Sequence, residues 1–183
     1  MKVSGNGQAK ILNQDELSKL FSEGLLSARD RALFAVCLFC GCRISEALAL
    51  TVDDIAGGVI TLRKATTKGK LRTRTIDISE GLARYLDAYA VPTSGYLFPG
   101  KHHWAPLTRA MADKLLRDAC DRVGLVGVST HSFRRSALTQ MNNGGVALRT
   151  IMDISGHANL GTLQRYLEVS PAQRKAAISV VGF

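Results

Sequence analysis

The nine residues from Ala32 to Cys40, ALFAVCLFC, constrain the fold more than any other stretch, because all nine are apolar. Ser27 upstream is a favoured N-cap with Asp30 three residues on, and Gly41 ends the apolar run. A helix that is apolar on nearly every side is buried on nearly every side. The sequence therefore predicts a central core helix, and the 46% apolar content of the 183 residues is enough to surround it.

Capping residues bound the other predicted helices. Asn13 caps a helix that runs to about Glu23, with Glu16 completing a capping box and Gly24 ending the helix. Further helices are predicted at about residues 44–50, 80–89, 109–123, 130–142, 146–154 and 163–167, and after Pro171. The chain is therefore mostly helical.

One region departs from the helical pattern and predicts a β-hairpin. Gly57-Gly58 opens it, and the segments VITLRKA and KLRTRTIDI both alternate, with the turn-forming residues 67–70 between them. In the second segment the alternation places Arg72, Arg74 and Ile76 on one face. The predicted fold class is mainly α with a small antiparallel β-sheet (α+β).

The charge of the chain points to a polyanionic partner. The formal net charge is +9 and the isoelectric point is about 9.7, which favours nucleic acid first and an anionic membrane second. No apolar run approaches the ~20 residues of a membrane span, and residues 1–10 lack the apolar core of a signal peptide. A cytoplasmic, nucleoid-associated setting is expected.

Three of the four cysteines, Cys37, Cys40 and Cys42, crowd into the predicted core helix and its end. A metal site needs a fourth ligand and a loop to carry it, and the sequence offers neither. The cysteines are therefore expected to be buried, reduced thiols, and no metal is expected.

Several residues are suited to breaking a phosphodiester bond. Arginine forks match phosphate oxygens, histidine moves protons near neutral pH, and tyrosine can attack phosphorus if it is assisted. The candidates of these residue types are Arg43, His131, Arg134, His157 and Tyr166. Taken singly, each has an ordinary explanation: a helix cap, a basic helix face, a helix-end histidine or a half-buried aromatic ring.

Their joint order and spacing resemble the catalytic domain of the tyrosine recombinases, the phage integrase family. The matching text is GCRISEAL at 41–48, TKGK in the predicted hairpin, HSFR at 131–134, Gly156-His157, and a tyrosine nine residues later. The flanking text GCRISEALAL and SGHANLGTLQRY agrees, and the resemblance covers about residues 12–170.

The resemblance implies a role for each matching residue. Tyr166 would attack phosphorus and form a 3′-phosphotyrosyl link, while Arg43 and Arg134 clamp the non-bridging oxygens. His157 would donate a hydrogen bond to the same phosphate, and His131 would assist proton transfer at the tyrosine. Glu46 would orient Arg43.

The same resemblance implies a general acid in the hairpin and no cofactor or metal ion. Lys68 is the leading candidate for the acid that protonates the leaving oxygen, and Lys70 is the alternative, because the sequence does not fix the hairpin register. The residues expected to contact DNA are Arg63, Lys64, Lys70, Arg72, Arg74 and Arg135. The loop with His102, His103 and Trp104 is expected to be a surface loop with one packed aromatic ring.

The resemblance also implies a domain organisation and a function. Residues 1–10 are expected to be a flexible tail, and residues 11–183 the catalytic domain, without the N-terminal DNA-clamping domain usual in the family. The expected function is site-specific recombination of double-stranded DNA, with self-association as a tetramer on DNA. The alternatives are a non-catalytic DNA-binding relic or regulator of the same fold, and a type IB topoisomerase-like enzyme.

Overall fold

The computed structural model describes residues 8–63, 73–102, 104–164 and 171–181, and helices dominate these residues. The helices are α1 (Gln14–Lys19), α2 (Ala28–Phe39), α3 (Ile44–Leu48), α4 (Glu80–Tyr89), α5 (Arg109–Val123), α6 (Thr130–Asn143), α7 (Leu148–Ser155), α8 (Leu160–Gln164) and α9 (Pro171–Ser179). The strands are β1 (Ile55–Ala56), β2 (Val59–Leu62) and β3 (Arg74–Asp77). The predicted fold class is confirmed.

Helix α2 is the centre of the core, as its sequence predicts. The residues from Ala32 to Cys37 are fully buried, and α2 packs against both α4 and α6. Phe34 of α2 stacks on Phe133 of α6 with ring centroids 5.0 Å apart, and Phe21 meets the same ring edge-on at 6.1 Å. Aromatic pairs of this kind add about 0.5 to 1.5 kcal/mol each beyond the area they bury. Phe133 therefore fixes α6, which carries the HSFR motif, onto the central helix.

The sheet has the order β1-β2-β3 with antiparallel pairing throughout. The pairing of β2 with β3 agrees with the predicted hairpin and sets Ile60 opposite Ile76 and Leu62 opposite Arg74. The predicted turn at residues 67–70 lies outside the described residues. The sequence pattern missed β1, because two residues are too few to show alternation; Gly57 and Gly58, both with positive φ, connect β1 to β2.

The predicted first helix is confirmed, but it ends in a π-helical turn that the pattern did not indicate. Asn13 and Glu16 form the capping box, and the turn from Leu20 to Gly24 closes with the Leu25 N–H donating to the Leu20 carbonyl at 2.8 Å. A Cβ on Gly24 would lie 2.9 Å from the Ala119 carbonyl oxygen. The wider turn thus brings a glycine directly against the backbone of α5.

The segment before α1 lies along α6. The Leu12 N–H donates to the buried Ser136 Oγ at 2.7 Å, and the Lys10 N–H donates to the Gly127 carbonyl at 3.1 Å. Arg135, predicted to contact DNA, instead lies buried on this side of α6 and donates from Nη1 to the Ala9 carbonyl. The reason is helical geometry, since Arg135 follows Arg134 by one residue and so points to a different face.

A second, smaller apolar cluster joins the last part of the described chain to α6. Leu138 of α6, Ile151 of α7 and Leu163 of α8 are fully buried against one another. This cluster sets the position of α8, and residues 165–170, with Tyr166 among them, follow directly. No helix among the described residues is both long and apolar enough to cross a membrane.

Candidate active site

The site is built around the turn that joins α2 to α3. Gly41 adopts a positive φ of 54°, and Arg43 then caps the N-terminus of α3 with extended backbone. The Glu46 carboxylate accepts the Arg43 N–H at 2.8 Å through Oε2 and the Arg43 Nη1 at 3.3 Å through Oε1. Glu46 is fully buried, whereas the Arg43 side chain keeps 22% of its surface exposed. The carboxylate therefore holds both ends of an arginine whose side chain still reaches the surface.

Arg134 meets the same turn from α6. It is fully buried, and its Nη1 donates to the Gly41 carbonyl at 2.7 Å. The bond joins residues 93 positions apart in the sequence. It fixes the Arg134 guanidinium at Gly41, which precedes Arg43 by two residues in the turn. Arg43 and Arg134 are thus brought to the same turn by the hydrogen bond from Arg134 to the Gly41 carbonyl.

His157 lies beside Arg134 at the end of α7. Gly156 takes a left-handed φ of 68° as the C-cap, and this turns the chain so that the His157 ring faces inward with only 7% of the residue exposed. Arg134 Nη2 lies 3.1 Å from His157 Nε2 and 3.4 Å from Nδ1, and Ser155 Oγ lies 2.7 Å from Nδ1. Because a guanidinium only donates, the ring nitrogen that bonds to it must accept, which requires a neutral imidazole.

The electrostatics of the site also favour neutral His157. Burial lowers the pKa of its ring to about 3, assisted by the positive charges of Arg134, Arg43 and Arg74, with Glu46 opposing. A ring with this pKa is uncharged at neutral pH. One ring nitrogen can therefore accept from Arg134, and the other carries the single N–H.

Arg74 differs from the prediction that it contacts DNA. It shares the buried face of β3 with Ile76, and its Nη2 donates to Glu46 Oε2 at 3.0 Å. Its Nε donates to the Ile154 carbonyl at 2.8 Å, at the end of α7. Strand alternation correctly placed Arg74 with Ile76, and the buried isoleucine is the signal that identifies this face as the inner one. Arg74 therefore ties the sheet to both α3 and α7.

Glu46 is the shared partner of two arginines. Burial by itself would raise the pKa of its carboxyl, but the hydrogen bond and charge of Arg74, together with the Arg43 N–H, hold the pKa below its ordinary value. The carboxylate is consequently ionised at neutral pH. Sequence spacing predicted its contact with Arg43 but gave no sign of Arg74, which is 28 residues away.

His131 stands at the outer edge of the site, in the first turn of α6 and three residues before Arg134. Partial burial lowers the pKa of its ring, and the charges of Arg109, Arg43 and Arg134 act in the same direction, with Asp113 opposing. The structure thus brings four of the predicted catalytic residues into one electrostatic neighbourhood: Arg43, His131, Arg134 and His157.

The remaining predicted site residues fall into two groups. Tyr166, Lys68, Lys70, Lys64 and Arg72 lie outside the described residues. Arg63 is described, and its half-exposed side chain pairs with Asp54. The prediction that the loop aromatic ring is packed was wrong, because Trp104 is 80% exposed.

The cysteines match the sequence prediction. Cys37, Cys40, Cys42 and Cys120 are all free and buried. The pKa of the Cys37 thiol is raised, chiefly by a hydrogen bond with Cys42 and secondly by burial. Among the described residues, no group of three or more histidines, cysteines or carboxylates is arranged to hold a metal ion.

Comparison with known proteins assigns this chain to a family. The phage integrase family matches residues 10–173, so the chain belongs to that family. Tyrosine recombinase XerC of Rhodospirillum centenum is 38% identical over 156 residues, covering 79% of this chain and 43% of the relative. Tyrosine recombinase XerD of Mycobacterium leprae is 32% identical over 187 residues, covering 91% and 58%. The chain spans about half the length of these curated relatives.

Solved structures of similar fold agree. XerA recombinase matches with a TM-score of 0.79 at 21% identity, over 97% of this chain and 65% of that chain. XerH site-specific recombinase, bound to its palindromic difH substrate after cleavage, matches with a TM-score of 0.77 at 24% identity, over 97% and 54%. At these identities the similarity establishes the fold. The resemblance that the motifs indicated is confirmed.

Gly156→Ala tests the contact between the Gly-His motif and Arg74. A Cβ at Gly156 would lie 2.9 Å from Arg74 Nη1 and 3.1 Å from its Cζ. Gly124→Ala is the matched control, because Gly124 also caps a helix with a φ of 71° and has no atom within 4 Å of the added Cβ. Both should lose about 1 to 2 kcal/mol from the left-handed backbone. Urea denaturation should show a further loss for Gly156→Ala only; equal losses would contradict the contact.

The charge state of His157 is testable by NMR titration of its ring. The His157 pKa should lie near 3, and Arg43→Gln should raise it by removing a nearby positive charge. Arg63→Gln is the control, because Arg63 is not among the charges acting on His157, and it should leave the pKa unchanged.

The same shift has a consequence for stability. The unfolded chain takes up the His157 proton near pH 6.5 and the folded chain only near pH 3, so this residue makes the free energy of unfolding fall as pH drops through that window. A His157 ring that titrates near its ordinary pKa in the folded protein would contradict the buried, arginine-flanked placement.

Proposed function

We propose that this chain is the catalytic domain of a site-specific DNA recombinase, which cleaves and rejoins DNA strands through a covalent link to Tyr166. The observation that carries the proposal is the convergence of Arg43, Arg134 and His157 on one turn. Arg134 bonds the Gly41 carbonyl at 2.7 Å and lies 3.1 Å from the His157 ring. Two fixed guanidinium groups beside a neutral imidazole make a site for a single phosphate.

The two arginines supply the electrostatic part of the chemistry. Charge on the non-bridging oxygens grows as a nucleophile adds to phosphorus, and preorganised donors stabilise it without reorganising. Arg43 is held by Glu46 and Arg134 by the Gly41 carbonyl, so neither needs to be ordered on substrate binding. In the described structure the His157 ring nitrogens face Arg134 and Ser155, and in the proposed complex the phosphate replaces one of these partners and accepts the single N–H of the neutral ring.

The covalent step is assigned to Tyr166. Its Oη attacks phosphorus, the bond from phosphorus to the 5′ oxygen breaks, and a 3′-phosphotyrosyl link and a 5′ hydroxyl result. Lys68 gives its proton to the leaving oxygen, with Lys70 as the alternative donor, and His131 takes the tyrosine proton. Rejoining is the same sequence in reverse.

The substrate of this proposal is double-stranded DNA. The net charge of +9 and the basic residues Arg63, Lys64, Lys70 and Arg72 of the hairpin segment support it. Residues 11–183 form the catalytic domain, and the protein acts as a tetramer on paired DNA sites in the cytoplasm, associated with the nucleoid. Solved structures of similar fold support this substrate: the XerH site-specific recombinase is bound to a palindromic difH substrate, and the Tn1549 transposon integrase is in complex with transposon right end DNA.

The nucleophile is tested with a suicide substrate. The probe is a pool of DNA duplexes with randomised central sequence, each nicked near the centre so that a cleaved strand loses its short fragment. Wild-type protein, in the presence of a chelator, should form a covalent adduct seen as a slower band on a denaturing gel. Tyr166→Phe should form none while retaining DNA binding, and Tyr96→Phe is the control for tyrosine loss elsewhere. An equal adduct with Tyr166→Phe would overturn the assignment; retained binding with no wild-type adduct would favour the non-catalytic alternative.

The general acid is tested by replacing the leaving oxygen with sulfur. A 5′-bridging phosphorothiolate leaves as a thiolate, which needs no proton. Lys68→Ala should slow cleavage of ordinary DNA by about 10²- to 10⁴-fold, the usual contribution of a general acid, and should be close to wild type on the sulfur substrate. Lys70→Ala is the matched variant and should show little change on either. The reverse pattern would assign the role to Lys70, and a Lys68→Ala defect that persists with sulfur would exclude proton donation.

A further inference from the structure

A short closed loop before α5 has no role in the chemistry described above. We call residues 99–106 the tip loop. Pro99 and Pro106 form an antiparallel bridge at its base, and the Gly100 N–H donates to the Ala105 carbonyl at 2.9 Å. The Ala105 N–H donates in turn to the His102 carbonyl at 2.9 Å. Backbone bonds therefore hold the loop in a defined shape.

The tip loop displays an aromatic pair to solvent. Trp104 is 80% exposed, and its ring stacks on His102 with centroids 5.5 Å apart and planes 20° apart. Outside the C-terminal residues 178–181, no large apolar side chain among the described residues is more exposed. An indole ring held out in this way, with a stacked partner limiting its freedom, is the usual form of an aromatic contact residue.

The tip loop carries positive charge and no negative charge of its own. Residues 99–106 contain Lys101 and two histidines and no aspartate or glutamate, and Arg109, which follows in α5, pairs with Asp113 at 3.8 Å. A basic segment with an exposed aromatic ring matches DNA, whose phosphates pair with cations and whose sugars and base edges offer surface to the ring. Charge complementarity thus favours DNA as the occupant of this surface.

The tip loop leads directly into the edge of the active site. The Leu107 N–H donates to the Phe98 carbonyl at 2.8 Å, and Thr108 then caps α5. Helix α5 packs against α3, the helix that Arg43 caps. Arg109 in the first turn of α5 is also close enough to His131 for its charge to lower the pKa of that ring. DNA seated at the site would therefore extend toward the tip loop.

We propose that the tip loop is a DNA-contacting element outside the cleaved phosphate, in which the Trp104 ring packs on the sugars or base edges of the flanking duplex while Lys101 and His102 approach its phosphates. The proposal rests on the proposed function, since it takes the same DNA as its ligand. The tip loop adds affinity and positions the duplex, and it makes no contact with the reacting atoms.

The test uses Trp104 as its own reporter, because it is the single tryptophan of the chain. The full chain is titrated at low salt with a 30-base-pair duplex while tryptophan fluorescence and the anisotropy of labelled DNA are followed together. Trp104 emission should change in parallel with the anisotropy, and acrylamide should quench it less in the complex. Trp104→Ala should bind about 5-fold more weakly, the low end of the range for aromatic contacts to nucleic acid, and Trp104→Phe should bind nearly as wild type. Leu26→Ala, which removes another exposed apolar side chain, should have no effect.

The outcomes separate this proposal from the proposed function. Binding by anisotropy with unchanged Trp104 fluorescence and unchanged affinity of Trp104→Ala would overturn the tip-loop contact and leave the recombinase proposal standing. No DNA binding at any salt would overturn both. Trp104 emission that responds to vesicles with anionic headgroups but not to DNA would reassign the loop to a membrane surface and overturn the contact.

Discussion

The buried Glu46 carboxylate, shared between Arg43 and Arg74, is the interaction on which the rest of the site depends. Its oxygens lie 3.3 Å from Arg43 Nη1 and 3.0 Å from Arg74 Nη2, so one side chain joins α3 to the sheet. Arg74 extends the connection to α7 through the Ile154 carbonyl. Removing one partner of such a buried pair leaves a charge without compensation, which typically costs about 3 to 5 kcal/mol. The proposed phosphate site and the fold around it are therefore stabilised by the same contacts, and Glu46 contributes to both.

The arrangement of charges explains how the site holds several arginines close together. Arg43 and Arg74 share a carboxylate, and Arg134 uses the negative end of a carbonyl dipole at Gly41 together with the His157 ring. Of these three arginines, Arg43 alone keeps appreciable exposure. The positive potential therefore reaches the surface at Arg43, and the buried Arg134 adds to it. Keeping His157 neutral avoids a further buried cation. A phosphodiester entering this field would add the negative charge that two partly committed guanidinium groups are oriented to accept.

Much of the fold follows from local sequence rules, and the failures have identifiable causes. Helix ends at Asn13, Ser79 and Thr108 obey capping chemistry, which acts over three residues and is therefore legible in sequence. The motif residues Arg43, Arg134 and His157 were predictable because their order along the chain matched a family. The inward placement of Arg74 was not, because alternation shows which residues share a face but not which face is buried until its partners are known. The prediction that Trp104 is packed failed for a different reason. Large rings usually prefer burial, but here a closed loop holds the Trp104 ring outward.

The described elements also limit where Tyr166 and Lys68, the proposed nucleophile and the proposed general acid, can lie. Leu163 is fixed in the cluster with Leu138 and Ile151, and Tyr166 follows it by three residues (166 − 163). Three residues of chain span at most about 11 Å, which bounds the distance of the proposed nucleophile from Leu163. Lys68 precedes Arg74 by six residues (74 − 68), and Arg74 is bonded to the same helix end. In the proposed mechanism two tasks are thus separate: buried contacts fix the arginines that would bind the phosphate, while Tyr166 and Lys68 belong to chain segments that adjoin the fixed residues Leu163 and Arg74.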